Sequence, residues 1–231
     1  MACQNDALTP DASNGVVTFE IGAESHLSTR AISDGTGATQ LSWAVFTENG
    51  ELITKKATKD NVTSMLTEEG YEMYLTLAKG KTYVVAFWAQ NPQCEAYTVS
   101  DDMKVKIDYD GVNNDERRDA FFAATEPFTV DGDAVISVVL RRPFAQVNFG
   151  TLDTELAKVA GFDITVPEAK TTVTTRAYNT LYLGNNQHGT VGGAQDVQVT
   201  FSDAALPNED LYLLNDTAHT TPYDWLAMNY I

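Results

Sequence analysis

Residues 134–150, AVISVVLRRPFAQVNFG, constrain the fold more than any other stretch, because two apolar runs are joined there by a charged Arg-Arg-Pro break. Ile136, Val138 and Leu140 alternate with Val135, Ser137 and Val139. Beyond the break, Ala145, Val147 and Phe149 alternate with Phe144, Gln146 and Asn148. A period of two is that of a strand with two unlike faces. Pro143 has no N–H and cannot sit inside a fully paired central strand, so the chain bends there and the two strands serve different pairings or different sheets. A crossing point of this kind ties two β layers together.

The text before it reads as short strands separated by turns. Val17, Phe19 and Ile21 alternate with Thr18, Glu20 and Gly22, a first strand with one buried face. A polar passage over residues 23–40 follows, with Arg30 near its centre, the type of loop that proteases reach. Residues 41–47 resume the strand pattern, Asn49-Gly50 signals a tight hairpin, Leu52 and Ile53 start the returning strand, and 57–69 reads as loop. Met73, Leu75 and Leu77 alternate in turn. Residues 83–89, YVVAFWA, are apolar throughout, so both faces should be covered; this is the best candidate for a central strand. Val105, Ile107 and Tyr109 mark another strand, then an acidic turn over 108–119. Residues 120–125 and 128–130 lead through Asp131-Gly132, a second hairpin signal, into the 134–150 stretch. This pattern predicts an all-β sandwich rather than an α/β fold.

After Gly150 the sequence predicts a short helix over 153–159 and a strand through Phe162, Ile164 and Val166 closed by Pro167. A glycine-rich loop at 184–195 and strands at 197–201 and 211–214 follow. The last strand begins at Trp225 and has no later text to pair with. The expected organisation is a flexible tail over 1–15, an N-terminal β-sandwich domain over 16–150, and a second β-rich domain over 151–231. The second is about half finished where the sequence stops, hence truncated or unusually small.

Composition narrows the function classes. The 231 residues are 43% apolar, enough for a packed core, and carry a formal charge of −17, which repels nucleic-acid phosphates and anionic head groups alike. No stretch approaches the roughly 18 apolar residues that span a bilayer. Cys3 and Cys94 form no metal-ligand spacing. Ala2-Cys3 is similar to the processed junction of a bacterial lipoprotein, in which the cysteine carries the lipid; the alternative is an ordinary thiol near a chain end. His26, His188 and His219 are scattered, and no H-E-x-x-H, G-x-S-x-G or P-loop is present, so neither an enzyme nor a cofactor is expected. Asp108, Asp110, Asn113 and Asp115 around Gly111 are the one calcium candidate, in an order that departs from the EF-hand loop; a solvated acidic turn neutralised by Arg117 and Arg118 is the other reading. Tyr223, Trp225 and Tyr230 suit either a sugar-stacking surface or the core of the second domain, whereas Trp43 and Trp88 lie in strands that read as buried.

LRRPFAQVNFGT (140–151), STRAISDG (28–35), the Trp43-Ala44-Val45-Phe46 strand before Asn49-Gly50, and KGKTYVVAFWAQ (79–90) together resemble the fimbrillin-type surface lipoproteins of Bacteroidota. The resemblance runs from Cys3 to Thr151 and weakens beyond. It implies transthyretin-like Greek-key β-sandwich domains, export as a lipoprotein through Cys3, and membrane attachment only by that lipid. It further implies a place at the cell surface or outer membrane, in a fimbrium or as an accessory protein, with other fimbrial subunits or surface proteins as partners. In polymerising members an arginine-specific protease cuts after the first strand, and a donor strand from another subunit fills the vacated groove. Here the matching junction is Arg30-Ala31 and the exchangeable strand contains Val17, Phe19 and Ile21. The alternative is a surface lipoprotein that does not polymerise and binds glycan or host protein.

Overall fold

The computed structural model describes residues 13–23, 35–67, 69–110, 116–151, 170–184, 189–202 and 225–230. Its strands are β1 (Asn14–Ala23), β2 (Gln40–Thr47), β3 (Leu52–Lys59), β4 (Tyr71–Ala78), β5 (Thr82–Gln90), β6 (Tyr97–Val99), β7 (Lys104–Ile107), β8 (Ala120–Ala124), β9 (Phe128–Thr129), β10 (Ala134–Leu140), β11 (Gln146–Thr151), β12 (Lys170–Tyr182), β13 (Thr190–Ser202) and β14 (Trp225–Tyr230). Among the described residues there is no α-helix, and the fold is all-β, as the strand periodicity predicts.

The strands form a front sheet in the order β10-β1-β4, a middle sheet β3-β2-β5-β8 with β9 also on β5, a back sheet β13-β12-β7-β6, and a separate pair β11-β14. β5 is the centre of this arrangement. Its side chains from Tyr83 to Gln90 are all buried, as a strand without a polar face requires. Tyr83, Val85, Phe87 and Ala89 point forward into a core shared with Val17, Phe19 and Ile21 of β1 and with Met73, Leu77, Val138 and Leu140 of its neighbours. Val84, Ala86 and Trp88 point backward into a second core with Tyr97, Val105, Ile107, Leu181 and Leu183. The front and middle sheets make the sandwich, and the back sheet covers its other face.

Pro143 acts as the break expected of it. β10 pairs with β1, whereas β11, just beyond the proline, pairs with β14. β14, which has no later strand in the sequence to pair with, pairs backward, Thr151 opposite Trp225 and Gln146 opposite Tyr230. β12 likewise reaches back, pairing Leu181 with Val105 of β7.

Other expectations need correction. Asp131-Gly132 is not a hairpin turn, because β9 pairs with β5 in the middle sheet and β10 pairs with β1 in the front sheet. The hairpin between β2 and β3 exists, but Asn49 keeps a negative φ and Gly50 takes φ 82°, with Gly50 N–H donating to the Thr47 carbonyl at 2.9 Å. This is the longer turn closed by a left-handed glycine rather than the two-residue Asn-Gly turn. β3 runs on to Lys59, through part of the region read as loop, because β2 supplies its ladder although its own side chains are mostly exposed. The described part of the glycine-rich stretch is mostly strand: β13 starts at Thr190 and passes through Gly193 at a φ of 66°, a conformation that strains any other side chain, and a Cβ there would meet the Asn179 side chain. The helix expected over 153–159 and the strands over 162–166 and 211–214 lie outside the described residues.

Candidate functional site

The candidate exchangeable strand is the middle strand of the front sheet. β1 pairs in parallel with β10, from Val17 opposite Ala134 to Ala23 opposite Leu140, and antiparallel with β4, from Asn14 opposite Ala78 to Ile21 opposite Tyr71. Its alternating residues Val17, Phe19 and Ile21 are 0%, 0% and 1% exposed. The Phe19 ring meets Phe87 edge-on at 5.6 Å and Phe128 at 6.0 Å. Burying three such side chains contributes about 1.5–3 kcal/mol each, a sum comparable with the whole stability of a typical domain.

The start of β1 is clipped in place by backbone geometry. Val16 N–H donates to the Asp133 carboxylate at 2.9 Å, and the Ser13 carbonyl accepts from Lys79 N–H at 2.8 Å. A Cβ on Gly15 would stand 2.5 Å from the Gly132 carbonyl oxygen. Two glycine backbones thus meet there closely, as no side chain at position 15 would allow. Without β1, the front sheet would present two unpaired ladder edges, β10 and β4, above an apolar floor.

The remaining sequence candidates are not gathered at this site. Cys3, Arg30 and Ala31 lie outside the described residues, as do Asn113 and Asp115 of the calcium candidate and His26, His188 and His219. Asp108 and Asp110 are described. The Asp108 carboxylate accepts the Asp110 N–H at 2.8 Å, and its carbonyl accepts from the Arg118 guanidinium at 2.6 Å. Among the described residues no group of three His, Cys, Asp or Glu side chains could hold a metal. Cys94 is buried in the back core.

The Arg141–Phe144 tetrapeptide has a structural role that reading the sequence as a simple break missed. Arg141 and Phe122 exchange two backbone hydrogen bonds, each 2.9 Å. Arg142 grips the buried Asp119 carboxylate bidentately, Nε to Oδ1 at 2.7 Å and Nη2 to Oδ2 at 2.5 Å, with its guanidinium 5.3 Å from the Phe121 ring centre. Bidentate pairing of this kind is strong and fixes orientation. Pro143 stops the ladder, and Phe144 stacks on Tyr97 at 5.6 Å. Tyr97 in turn meets Trp88 edge-on at 5.3 Å and donates its hydroxyl to the Arg118 carbonyl. Burial pushes the Tyr97 hydroxyl pKa well above its ordinary value, partly opposed by the nearby Arg118 charge. The one sequence signal for this clamp was an Arg-Arg-Pro-Phe run followed by renewed alternation. Nothing local pointed to Asp119 as partner.

Solved structures of similar fold come from Bacteroidota. One is a candidate polysaccharide-binding protein (DUF1812) from Bacteroides thetaiotaomicron, at 13% identity over 94% of this chain and 71% of that one, with a TM-score of 0.56. Another is the fimbrial anchor protein Mfa2 from Porphyromonas gingivalis, at 12% identity over 94% of this chain and 72% of that one, with a TM-score of 0.51. At such identities the likeness is one of fold. No curated protein matches the chain. The model of a family of unknown function, DUF6562, matches residues 10–230, and the chain belongs to that family.

Proposed function

We propose that this protein is a structural subunit or accessory protein of cell-surface fimbriae, exported as a lipoprotein with its lipid on Cys3 and attached to the outer membrane by that lipid alone. In this reading it acts by association rather than catalysis, with other fimbrial subunits or surface proteins as partners. Cleavage at Arg30-Ala31 frees β1 from the unit over 16–150, and a donor strand of another subunit replaces it. The observation that supports this is the seat of β1 between two ladders with Val17, Phe19 and Ile21 fully buried. A strand so held leaves behind both unpaired backbone and an apolar slot, which strand addition satisfies.

A second observation favours the alternative of a surface lipoprotein that binds glycan or host protein without polymerising. A cleft of about 320 Å³ lies beside the clamp, lined by Tyr109, Phe144, Tyr178 and Leu181 among others. Aromatic side chains beside Thr175 and Arg176 suit sugar rings, and one protein of similar fold is described as a candidate polysaccharide binder.

The test is to treat the full chain with an arginine-specific protease, sequence the new N-terminus and follow particle size by light scattering. Fimbrial assembly predicts cleavage confined to Arg30 with concentration-dependent growth into rods. A stable monomer that retains β1 after cleavage overturns polymerisation and favours the binding protein.

A further inference from the structure

Two sheet edges of this molecule carry opposite side chains. β3, an edge of the middle sheet, carries three lysines, each tied to a neighbouring element: Lys55 Nζ lies 3.3 Å from Asp101, Lys56 donates to the Val99 carbonyl at 2.8 Å, and Lys59 donates to the Tyr71 hydroxyl at 2.7 Å. Lysines on an edge strand keep another strand from docking. β10, an edge of the front sheet, reads AVISVVL without a charge, and its Val135 and Val139 are 64% and 50% exposed. Among its own residues no charge and no proline guards it.

The β10 edge faces a second edge rather than open solvent. β8, at the margin of the middle sheet, meets it at one bridge, Phe122 with Arg141. From there the two strands part and leave a slot of about 590 Å³, walled by residues 122–128 on one side and by 136–139 and 141 on the other. The bridge sets the phase of both walls. Arg141 gives its N–H and C=O to Phe122, so strand alternation turns the backbone groups of Val139, Ser137 and Val135 toward the slot. On the opposite wall Ala124 shares the phase of Phe122, while Thr125 N–H is committed to the Val85 carbonyl at 3.0 Å. Pro143, lacking an N–H, prevents the bridge from extending past the closed end.

The charges around the slot select its occupant. Glu126 and Arg141 line it, Arg141 at the bridged end, and Asp131 and Asp133 precede β10 at the far end, so the open mouth is the acidic one. A second copy of a chain with charge −17 would bring like charge to this acidic mouth. We propose that the slot takes an additional strand from another protein while β1 stays in place. That strand is extended, apolar at alternate positions and neutral to basic, and it pairs with Val135, Ser137 and Val139 on one side and Ala124 on the other. The uncharged edge is thus a docking edge, and the lysine-bearing edge is the one kept closed.

The test uses the full chain and a blocked synthetic peptide, KTVTVTVTK, beside its counterpart ETVTVTVTE, with residue-resolved amide exchange as readout. The expected result is that the amides of Val135, Ser137 and Val139 exchange quickly in the protein alone and about tenfold more slowly with the lysine peptide, while β1 stays protected. The glutamate peptide should bind about tenfold more weakly. Ser137→Pro removes an N–H that faces the slot, and Val139→Lys places a charge at an exposed position without touching the core. Each should weaken peptide binding about tenfold, whereas Lys55→Thr on β3 should not. Slow exchange at these amides in the peptide-free monomer, dimerisation that protects them, release of β1 by the peptide, or no protection by the peptide would each overturn the proposal. Release of β1 would leave the strand-exchange reading of the fimbrial role standing, and simple addition would leave that reading to its own test.

Discussion

β1 and the Arg141–Phe144 clamp hold the same sandwich together by different means. β1 is kept by a backbone ladder on each side and by the burial of Val17, Phe19 and Ile21, interactions that any extended segment with the same alternation could supply. The clamp is kept by groups that fit one partner only: a bidentate ion pair with Asp119, a guanidinium over Phe121, and a ring stacked on Tyr97. This fold thus separates what is interchangeable from what is specified. A strand held by ladders and apolar burial sits in a seat that accepts substitutes, whereas the chain crossing between sheets must not slip.

The comparison is sharpest where mutations divide by chemistry. Phe19→Ala should cost about 3–5 kcal/mol in urea unfolding, whereas Phe19→Leu should cost less than about 1.5 kcal/mol, because an apolar seat tolerates another apolar shape. A Phe19→Ala cost under about 1 kcal/mol would mean that β1 is not seated as described. Asp119→Asn keeps the shape and removes the charge, and should cost about 1.5–3 kcal/mol in the same assay. If it is as mild as Phe19→Leu, the clamp is no more specific than the seat of β1.

Tyr97→Phe removes one hydroxyl hydrogen bond and should cost about 0.5–1.5 kcal/mol near neutral pH. Its pH dependence has a definite sign. The folded protein raises the Tyr97 pKa, chiefly by burial, so the stabilisation is fully present below the unfolded tyrosine value of about 10 and is lost as pH rises through the folded value. Stability measured from pH 9 upward should therefore fall less steeply in Tyr97→Phe than in the parent, and parallel curves would remove Tyr97 from the alkaline transition. The smallest effect belongs to Lys55→Ala, within about 0.5 kcal/mol, because its ion pair with Asp101 is 76% and 59% exposed. A larger loss in a thermal melt would show that the β3 edge contributes more than charge repulsion.

What could be read from the sequence follows how far each signal reaches. β5 and β1 were legible because their burial is written in their own residues, as an apolar run in one and strict alternation in the other. Pro143 was legible because a missing N–H is a local fact. β12 was missed because its apolar residues fall at Val173, Ala177 and Leu181 with threonines between, so a strand is present without the usual two-residue rhythm. The Asp131-Gly132 turn was misread because the partner of β10 lies far away in the chain, at β1. Within the candidate site, the burial of Val17, Phe19 and Ile21 was evident from pattern alone. The ion pair of Arg142 was not, since it depends on which strand end the fold brings beside Asp119.

The parallel pairing of β1 with β10 also sets an order in time. β4, the first neighbour of β1, is synthesised soon after it, but Ala134, the partner of Val17, follows 117 residues later. At roughly 5–20 residues per second, that interval is on the order of ten seconds. Throughout it one edge of β1 waits unpaired on a chain already long enough to collapse, and closing so long a loop makes this a late and slow contact. The front sheet therefore stays open until β10 has emerged, and while it waits, the chain is open to a strand that is not its own.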